Sequence, residues 1–415
     1  MADAGRWKPY EQRQGQLLPA FVEDELAPSD PVFFIDDVVD GLELTALERR
    51  YAALGEHAYD PRLLLKLWLY GATQGVYSGR ELARRVRRDL AFRYLAGDGP
   101  VPDFRTMNRF RVRHREDFAA VLRETVRLAQ GAGLVRLGLV ALDGTKLRAD
   151  TSRSKALSHQ RMVETEARLE AEIGAVLQRL DEVNAAEDAD HDEDDDGSGG
   201  LPAELQDRQR RLAKLQAVRA QLEREKGEAL KPKHQKSLAD PEANMMRVGN
   251  DGALTYAYNA QAATSEDGLI VAVDLTTTVP DSPLAVSMVA AVRTMTGEAP
   301  GCVLMDKGYL SEANLVTLRA QGQPCLIAVG REGKGARWPR GAETQRMHRL
   351  LRLPWARGRY AKRKTQGERP FAEIKQAMRF RRCQLRGRAK VWGEWNLVAA
   401  ACNLRRLFAL GVVLA

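Results

Sequence analysis

Through residues 1–130 apolar positions recur at helical spacing, with polar residues filling the faces between them. Asp60 and Pro61 open a segment in which Leu63, Leu64, Leu67, Trp68 and Tyr70 form a wide apolar face. Gly75 and Ser78-Gly79 break it, and Ser78 stands where it can cap a second helix. There Leu82, Val86, Leu90 and Tyr94 share one side, while Arg84, Arg85, Arg87 and Arg88 fall largely on others. Asp103 can cap a third helix carrying Arg105, Arg109, Arg113 and His114. Short helices joined by Gly-containing turns, with arginines outward, predict an all-helical DNA-binding domain over residues 1–130.

The period changes at residues 137–149, where an apolar run ends in Asp143. From Ser152 a long helical pattern sets in, with Met162, Leu169, Val176 and Val183 seven residues apart. Leu205, Leu212, Leu215, Val218 and Leu222 resume it after an acidic, Gly-rich stretch. Residues 151–232 therefore read as a helical hairpin insertion with a disordered acidic tip at 187–200. The tip lacks the interleaved glycine and fixed ligand spacing of a metal loop, so it reads as polar loop. Strands return at 255–264 and 269–278 as a hairpin, then a helix near 283–295, a buried strand ending in Asp306, a helix closed by Gly322, and a strand at 324–330. Beyond Arg359 the chain reads mostly helical. The order predicts an α/β domain over 131–415 with a mixed sheet.

Composition narrows the function. No run of apolar residues is long enough to span a bilayer, and the N-terminal residues lack a signal-peptide core, so the expectation is a cytoplasmic chain with no membrane partner. Four cysteines without a CxxC pair or a Cys/His cluster argue against a disulfide scaffold and a zinc finger. The net charge of +8 is unevenly placed. Residues 331–415 hold 22 Lys/Arg against 5 Asp/Glu, residues 61–127 hold 15 against 7, and 8 of the ten residues 187–196 are acids. Two basic segments in one chain point to a polyanion, most simply nucleic acid.

Asp143 and Asp306 share an unusual setting, each ending an apolar strand run with a glycine within two residues. Ligands of open α/β sheets gather outside the carboxyl ends of strands, so the two acids can converge there. A third carboxylate would complete a site for two divalent cations, which activate a nucleophile and stabilise the leaving oxygen of a phosphoryl displacement. The third acid is expected on the C-terminal helix, where Glu368 and Lys375 lie seven residues apart on one face and Glu373 falls on another. Asp150 reads as a cap, Asp274 and Asp281 as loop or surface acids, and Trp392 and Trp395 as packing residues.

These residues resemble the DDE transposases of bacterial insertion sequences, in the group with an InsH-type helical N-terminal domain and a Y-x2-R-x3-E-x6-K signature. The resemblance spans most of the chain: YDPRLLLKLWLYG, DFRTMNRFRVRH, VALDGTKLRAD, YNAQAAT, LMDKGYLSEANL and ERPFAEIK with the RFRRCQLRG and EWNLVAAACNLRRL segments. It implies a ribonuclease-H-like catalytic fold and two Mg²⁺ ions, for which Mn²⁺ can substitute. It also implies cutting and joining of double-stranded element ends and target DNA, by a homodimer on DNA. Carried across, the catalytic and metal-binding triad is Asp143, Asp306 and Glu368, with Lys375, Arg363 and Tyr360 as DNA-binding signature residues. Four residues rather than three separate Arg363 from Glu368, and Lys364 stands at the strict arginine position. Arg379, Arg381, Arg382 and Arg386 are expected on phosphates, with Arg105, Arg109 and Arg113 holding DNA from the helical domain. Same-fold nuclease activity without joining, or DNA binding without cleavage, are the alternatives.

Overall fold

The computed structural model describes residues 21–51, 58–187, 203–249, 252–330 and 341–412. The chain divides into two compact units, residues 1–113 with 404–415, and residues 114–403.

The smaller unit is helical: α1 (Pro31–Gly41), α2 (Thr45–Glu48), α3 (Pro61–Thr73), α4 (Gly79–Val86), α5 (Leu90–Ala96) and α6 (Phe104–Arg113). Asp60 accepts from the Arg62 N–H at 2.7 Å and Asp103 from the Thr106 N–H at 2.7 Å, so both carboxylates satisfy helix-start donors as their positions suggested. Ser78 occupies a cap position, but its side chain makes no capping bond. The second expected helix is two helices, because Asp89 accepts from the Ala91 N–H at 3.2 Å and restarts the chain as α5. Leu65, Leu67, Trp68 and Leu69 of α3 are buried, and the Trp68 indole N–H donates to the Met107 carbonyl at 3.1 Å. Arg105, Arg109 and Arg113 lie on the exposed side of α6.

In the larger unit α7 (Phe118–Gly131) packs Val126 into the core beside Leu139 and Val140. Then come β1 (Val140–Arg148), β2 (Ala156–Ser158), α8 (His159–Glu187), α9 (Ala203–Lys226), β3 (Gln235–Ser237), β4 (Asn244–Val248), β5 (Ala253–Thr264), β6 (Ile270–Thr276), α10 (Ala285–Thr296), β7 (Val303–Met305), α11 (Glu312–Ala320), β8 (Cys325–Ile327), α12 (Ala342–Leu350), α13 (Pro354–Ala372) and α14 (Arg388–Ala409). α8 and α9 pack against each other around Met162, Leu169, Leu215, Val218 and Leu222. A two-stranded ribbon, β2 with β3, closes the base of this pair; three-residue strands leave no periodic trace in sequence. The acidic tip beyond Glu187 lies outside the described residues.

The main sheet is mixed. β1 is central, antiparallel to β5 on one side and parallel to β7 on the other, and β7 is parallel to β8. β6 and β4 both pair antiparallel with β5. Val140, Leu142, Leu304, Met305 and Ile327 are wholly buried, as suits parallel strands covered by helices on both faces.

Candidate active site

Register alone brings two acids together. Val140, Ala141 and Leu142 of β1 pair with Val303, Leu304 and Met305 of β7. One residue further along stand Asp143 and Asp306, where the parallel pairing stops. β7 ends there, whereas β1 runs on to Arg148 against β5. Only Asp306 therefore lies at a strand's carboxyl end, the place where an open α/β sheet gathers its ligands. Asp143 accepts from the Gly144 N–H at 2.8 Å, and Asp306 accepts from the Gly308 N–H at 2.8 Å, capping the tight turn that follows β7.

The third acid arrives on α13, which crosses this end of the sheet. The Tyr360 hydroxyl donates to the Met305 carbonyl at 3.1 Å, and Arg363 Nη1 lies 3.8 Å from Asp143 Oδ2. A Cβ at Gly367 would stand 3.3 Å from both the Cβ and Oδ2 of Asp143, so glycine sets how closely helix and strand approach. Tyr360, Arg363 and Gly367 follow helical i, i+3, i+7 spacing, which places them on one face. Glu368 follows directly; its side chain is exposed and its charge acts on Asp143.

Pro370 lies inside α13 and has no N–H for the Gln366 carbonyl. Residues Glu373–Ala377 then form a π turn, closed by the Met378 N–H donating to the Glu373 carbonyl at 2.9 Å. The stretch from Glu368 to Lys375 is therefore not uniform α-helix, as the seven-residue spacing had suggested. The extra residue in the turn still brings Lys375 to the site, where its ammonium bonds the Thr145 hydroxyl on β1. Burial lowers the Lys375 pKa, with the Asp143 charge opposing the shift and the Arg381 charge adding to it.

Electrostatics mark Asp143. Burial chiefly pushes its pKa up to about 6; the Gly144 N–H and the Arg363 charge pull it down, while Asp306 and Glu368 raise it further. Asp143 thus feels the charge of both other carboxylates. Among the described residues no three His, Cys, Asp or Glu are gathered tightly enough to hold an ion as they stand. The donor chemistry nonetheless fits a hard divalent cation: all-oxygen ligands, one of them buried against its own charge.

Behind the acids lies a polar network whose roles sequence reasoning missed. Gln261 on β5 donates from Nε2 to Asn259 Oδ1 at 2.8 Å and to Asp281 Oδ1 at 3.0 Å, and its Oε1 accepts from the Tyr309 hydroxyl. Asp281 also accepts from Asn259 at 2.7 Å and pairs with Lys146 at 3.0 Å. A Cβ at Gly144 would collide with Gln261 Nε2, so Gly144 makes room for that amide beside Asp143. A Cβ at Gly308 would lie 3.0 Å from oxygens of both Asp281 and Asp306. Asp281, read as a loop acid, belongs to this network. The signal available was the polar alternation of Asn259 and Gln261 inside an otherwise apolar strand.

The remaining basic residues divide. Lys364 and Arg379 are exposed, and Arg379 adopts a left-handed backbone with φ 57°. Arg382 and Arg386 are held by Asp150, at 2.9 Å and 2.8 Å, and Arg381 donates to the Lys375 carbonyl at 2.9 Å. Asp150 is thus an ion-pair partner of these arginines rather than a helix cap. Trp395 is wholly buried, donates to the Gln261 carbonyl at 3.1 Å and stacks on Phe371, as expected of a packing residue.

Residues 21–113 match the family described as Transposase domain (DUF772), and residues 232–404 match the family described as Transposase DDE domain. The second match contains Asp306 and Glu368, whereas Asp143 precedes it. No curated protein and no solved structure matches the chain. With a transposase domain followed by a DDE domain, the chain belongs to the insertion-sequence DDE transposases.

Proposed function

We propose that this transposase binds the terminal inverted repeats of its element and cuts and rejoins DNA at a ribonuclease-H-like site formed by Asp143, Asp306 and Glu368. One observation carries the reading: Asp143 and Asp306 directly follow the last parallel pair of β1 and β7, Leu142 with Met305, under a helix that brings the charge of Glu368 to bear on Asp143. The sheet order supports the fold, with a long antiparallel strand beside β1 and two parallel strands beyond it.

The three carboxylates would hold two Mg²⁺ ions, with Mn²⁺ able to substitute. When bound, such ions supply an activated nucleophile and charge neutralisation at a phosphodiester. The chain's own residues do the rest. The acids fix where the scissile phosphate sits. Lys375, held by Thr145, sets a cation beside them for a neighbouring phosphate. Arg363, stacked toward Tyr360, keeps Asp143 ionised until a cation arrives. Lys364, Arg379, Arg105, Arg109 and Arg113 contact the DNA backbone, and a pair of chains acts on the two ends.

The test is divalent-ion-dependent cleavage of a plasmid carrying the DNA that flanks the coding region. Wild-type cuts at the element ends, lost in Asp306→Ala with DNA binding retained, are expected. Retained cutting in that variant overturns the site. Cutting without joining of marked ends leaves a nuclease, and binding without cutting leaves a DNA-binding protein.

A further inference from the structure

The helical hairpin has no part in the site described above, yet its base carries a built cavity. About 380 Å³ in volume, it lies between the end of α9, the approach to β3 and the start of β4. Lys226, Lys233, Lys236, Asn244 and Tyr256 line it, and Glu225 is the one lining carboxylate among the described residues. Glu225 is committed to Lys236, which is 3% exposed and sits opposite it in an ion pair. Among the described residues no carboxylate pairs with Lys226 or Lys233, so the wall carries an uncompensated positive charge of two.

Tyr256 supplies the second observation. It is 2% exposed, and its hydroxyl has no hydrogen-bond partner among the described residues. A buried phenol ordinarily finds a partner, because leaving the O–H unmet forfeits its hydration for nothing. The charge of Arg153 also reaches Tyr256, adding to the positive field. Two free ammonium groups, the unmet hydroxyl donor of Tyr256 and the second N–H of the Asn244 amide, whose first donates to the Thr277 carbonyl at 2.8 Å, suit an anion bearing several acceptor oxygens.

We infer that the hairpin base is a phosphate-binding site, occupied by a backbone phosphate of element-end DNA. The source of the phosphate rests on the DNA-transposition reading, while the chemistry of the pocket does not. The insertion thereby acquires a role, holding the duplex at a second point outside the acidic site.

The test uses the full chain without divalent ions and a labelled element-end duplex, with binding measured across a salt series. In the double variant Lys226→Ala, Lys233→Ala, affinity should fall about five- to tenfold, and the slope of log affinity against log salt should shrink by roughly one to two. Tyr256→Phe should weaken the duplex about two- to fivefold, in the range of one lost neutral hydrogen bond, with its melting temperature unchanged or raised. Phosphate-ethylation interference should lose the same backbone positions in both variants. An unchanged slope in the double variant, with inorganic phosphate stabilising wild type and the double variant alike or neither of them, overturns the site. Inorganic phosphate that raises the melting temperature of wild type but not of the double variant, with duplex binding equal in both, overturns DNA as the source. A chain that binds DNA through these lysines but cuts nothing overturns the cleavage reading alone, and one that cuts with unaltered salt dependence in the variant overturns the pocket's hold on DNA alone.

Discussion

Gly367 and Asp143 are matched: a single methyl group on the first would press to 3.3 Å on the carboxylate of the second. The contact is tight but not impossible, so strand or helix must yield by a few tenths of an ångström. Gly367→Ala should leave the fold standing, since alanine within a helix gains roughly 0.5–1 kcal/mol over glycine. DNA cleavage should nonetheless fall at least about tenfold, because small displacements of reacting groups are costly. Equal cleavage rates at matched protein and DNA concentrations would show that the approach of α13 is not critical.

Asp143 makes stability depend on pH in a defined direction. Its folded pKa is raised to about 6 from the ordinary 3.8, so between those values the folded chain keeps a proton that the unfolded chain releases. Stability therefore falls as pH rises through that window, and the deficit persists at neutral pH. The shift corresponds to no more than about 3 kcal/mol. Asp143→Asn should melt a few degrees above wild type at pH 7.5 in EDTA, lose this advantage near pH 4, and be inactive. Added Mg²⁺ should raise the melting temperature of wild type more than that of the variant. Melting curves over that pH range, with and without Mg²⁺, read all of these outcomes.

Gln261 ties three elements with one amide, so its removal leaves the Asn259 oxygen, the Asp281 carboxylate and the Tyr309 hydroxyl each short of a partner. Gln261→Ala should cost about 2–4 kcal/mol at the rate of unmet buried groups. Cleavage should fall about tenfold or more, while DNA affinity in EDTA stays within about twofold, as expected when positioning rather than binding is lost. Proportional loss of binding would mean that the network merely holds the fold.

Arginines of similar promise in sequence should separate in experiment. Arg386→Ala breaks the exposed pair with Asp150, for a stability change within about 1 kcal/mol. Its salt slope for DNA binding should stay near that of wild type. Lys364→Ala should instead lower the slope by about one, as for a lysine on a phosphate. Equal slopes in the two variants would remove the distinction.

Much of this was legible in the sequence, and the failures have physical reasons. Asp143 and Asp306 stood out because an apolar run that stops at an acid with a glycine close behind is a strong local pattern, although in the first case the strand itself continues to Arg148. That Leu142 pairs with Met305 was not readable, since register is decided by contacts across 163 positions of chain. The hairpin helices announced themselves by seven-residue periodicity, while the β2/β3 ribbon beneath them was too short to show any. Asp281 was misjudged because its surroundings are built by Asn259, Gln261 and Lys146, none of which is near it in sequence. The π turn at Glu373–Ala377 escaped notice for the opposite reason. Seven-residue spacing is compatible with α-helix, and only the backbone bonds reveal the extra residue.

The order in which the acids are spelled out also governs when the chain becomes armed. The strand with Asp143 is made early, the one with Asp306 follows after the long hairpin, and Glu368 comes on a helix near the end. Contacts so distant in sequence close late in folding. A chain still on the ribosome and short of α13 carries the N-terminal helices and two of the acids but lacks the third. Under the proposed chemistry, an unfinished molecule is harmless to the DNA that encodes it.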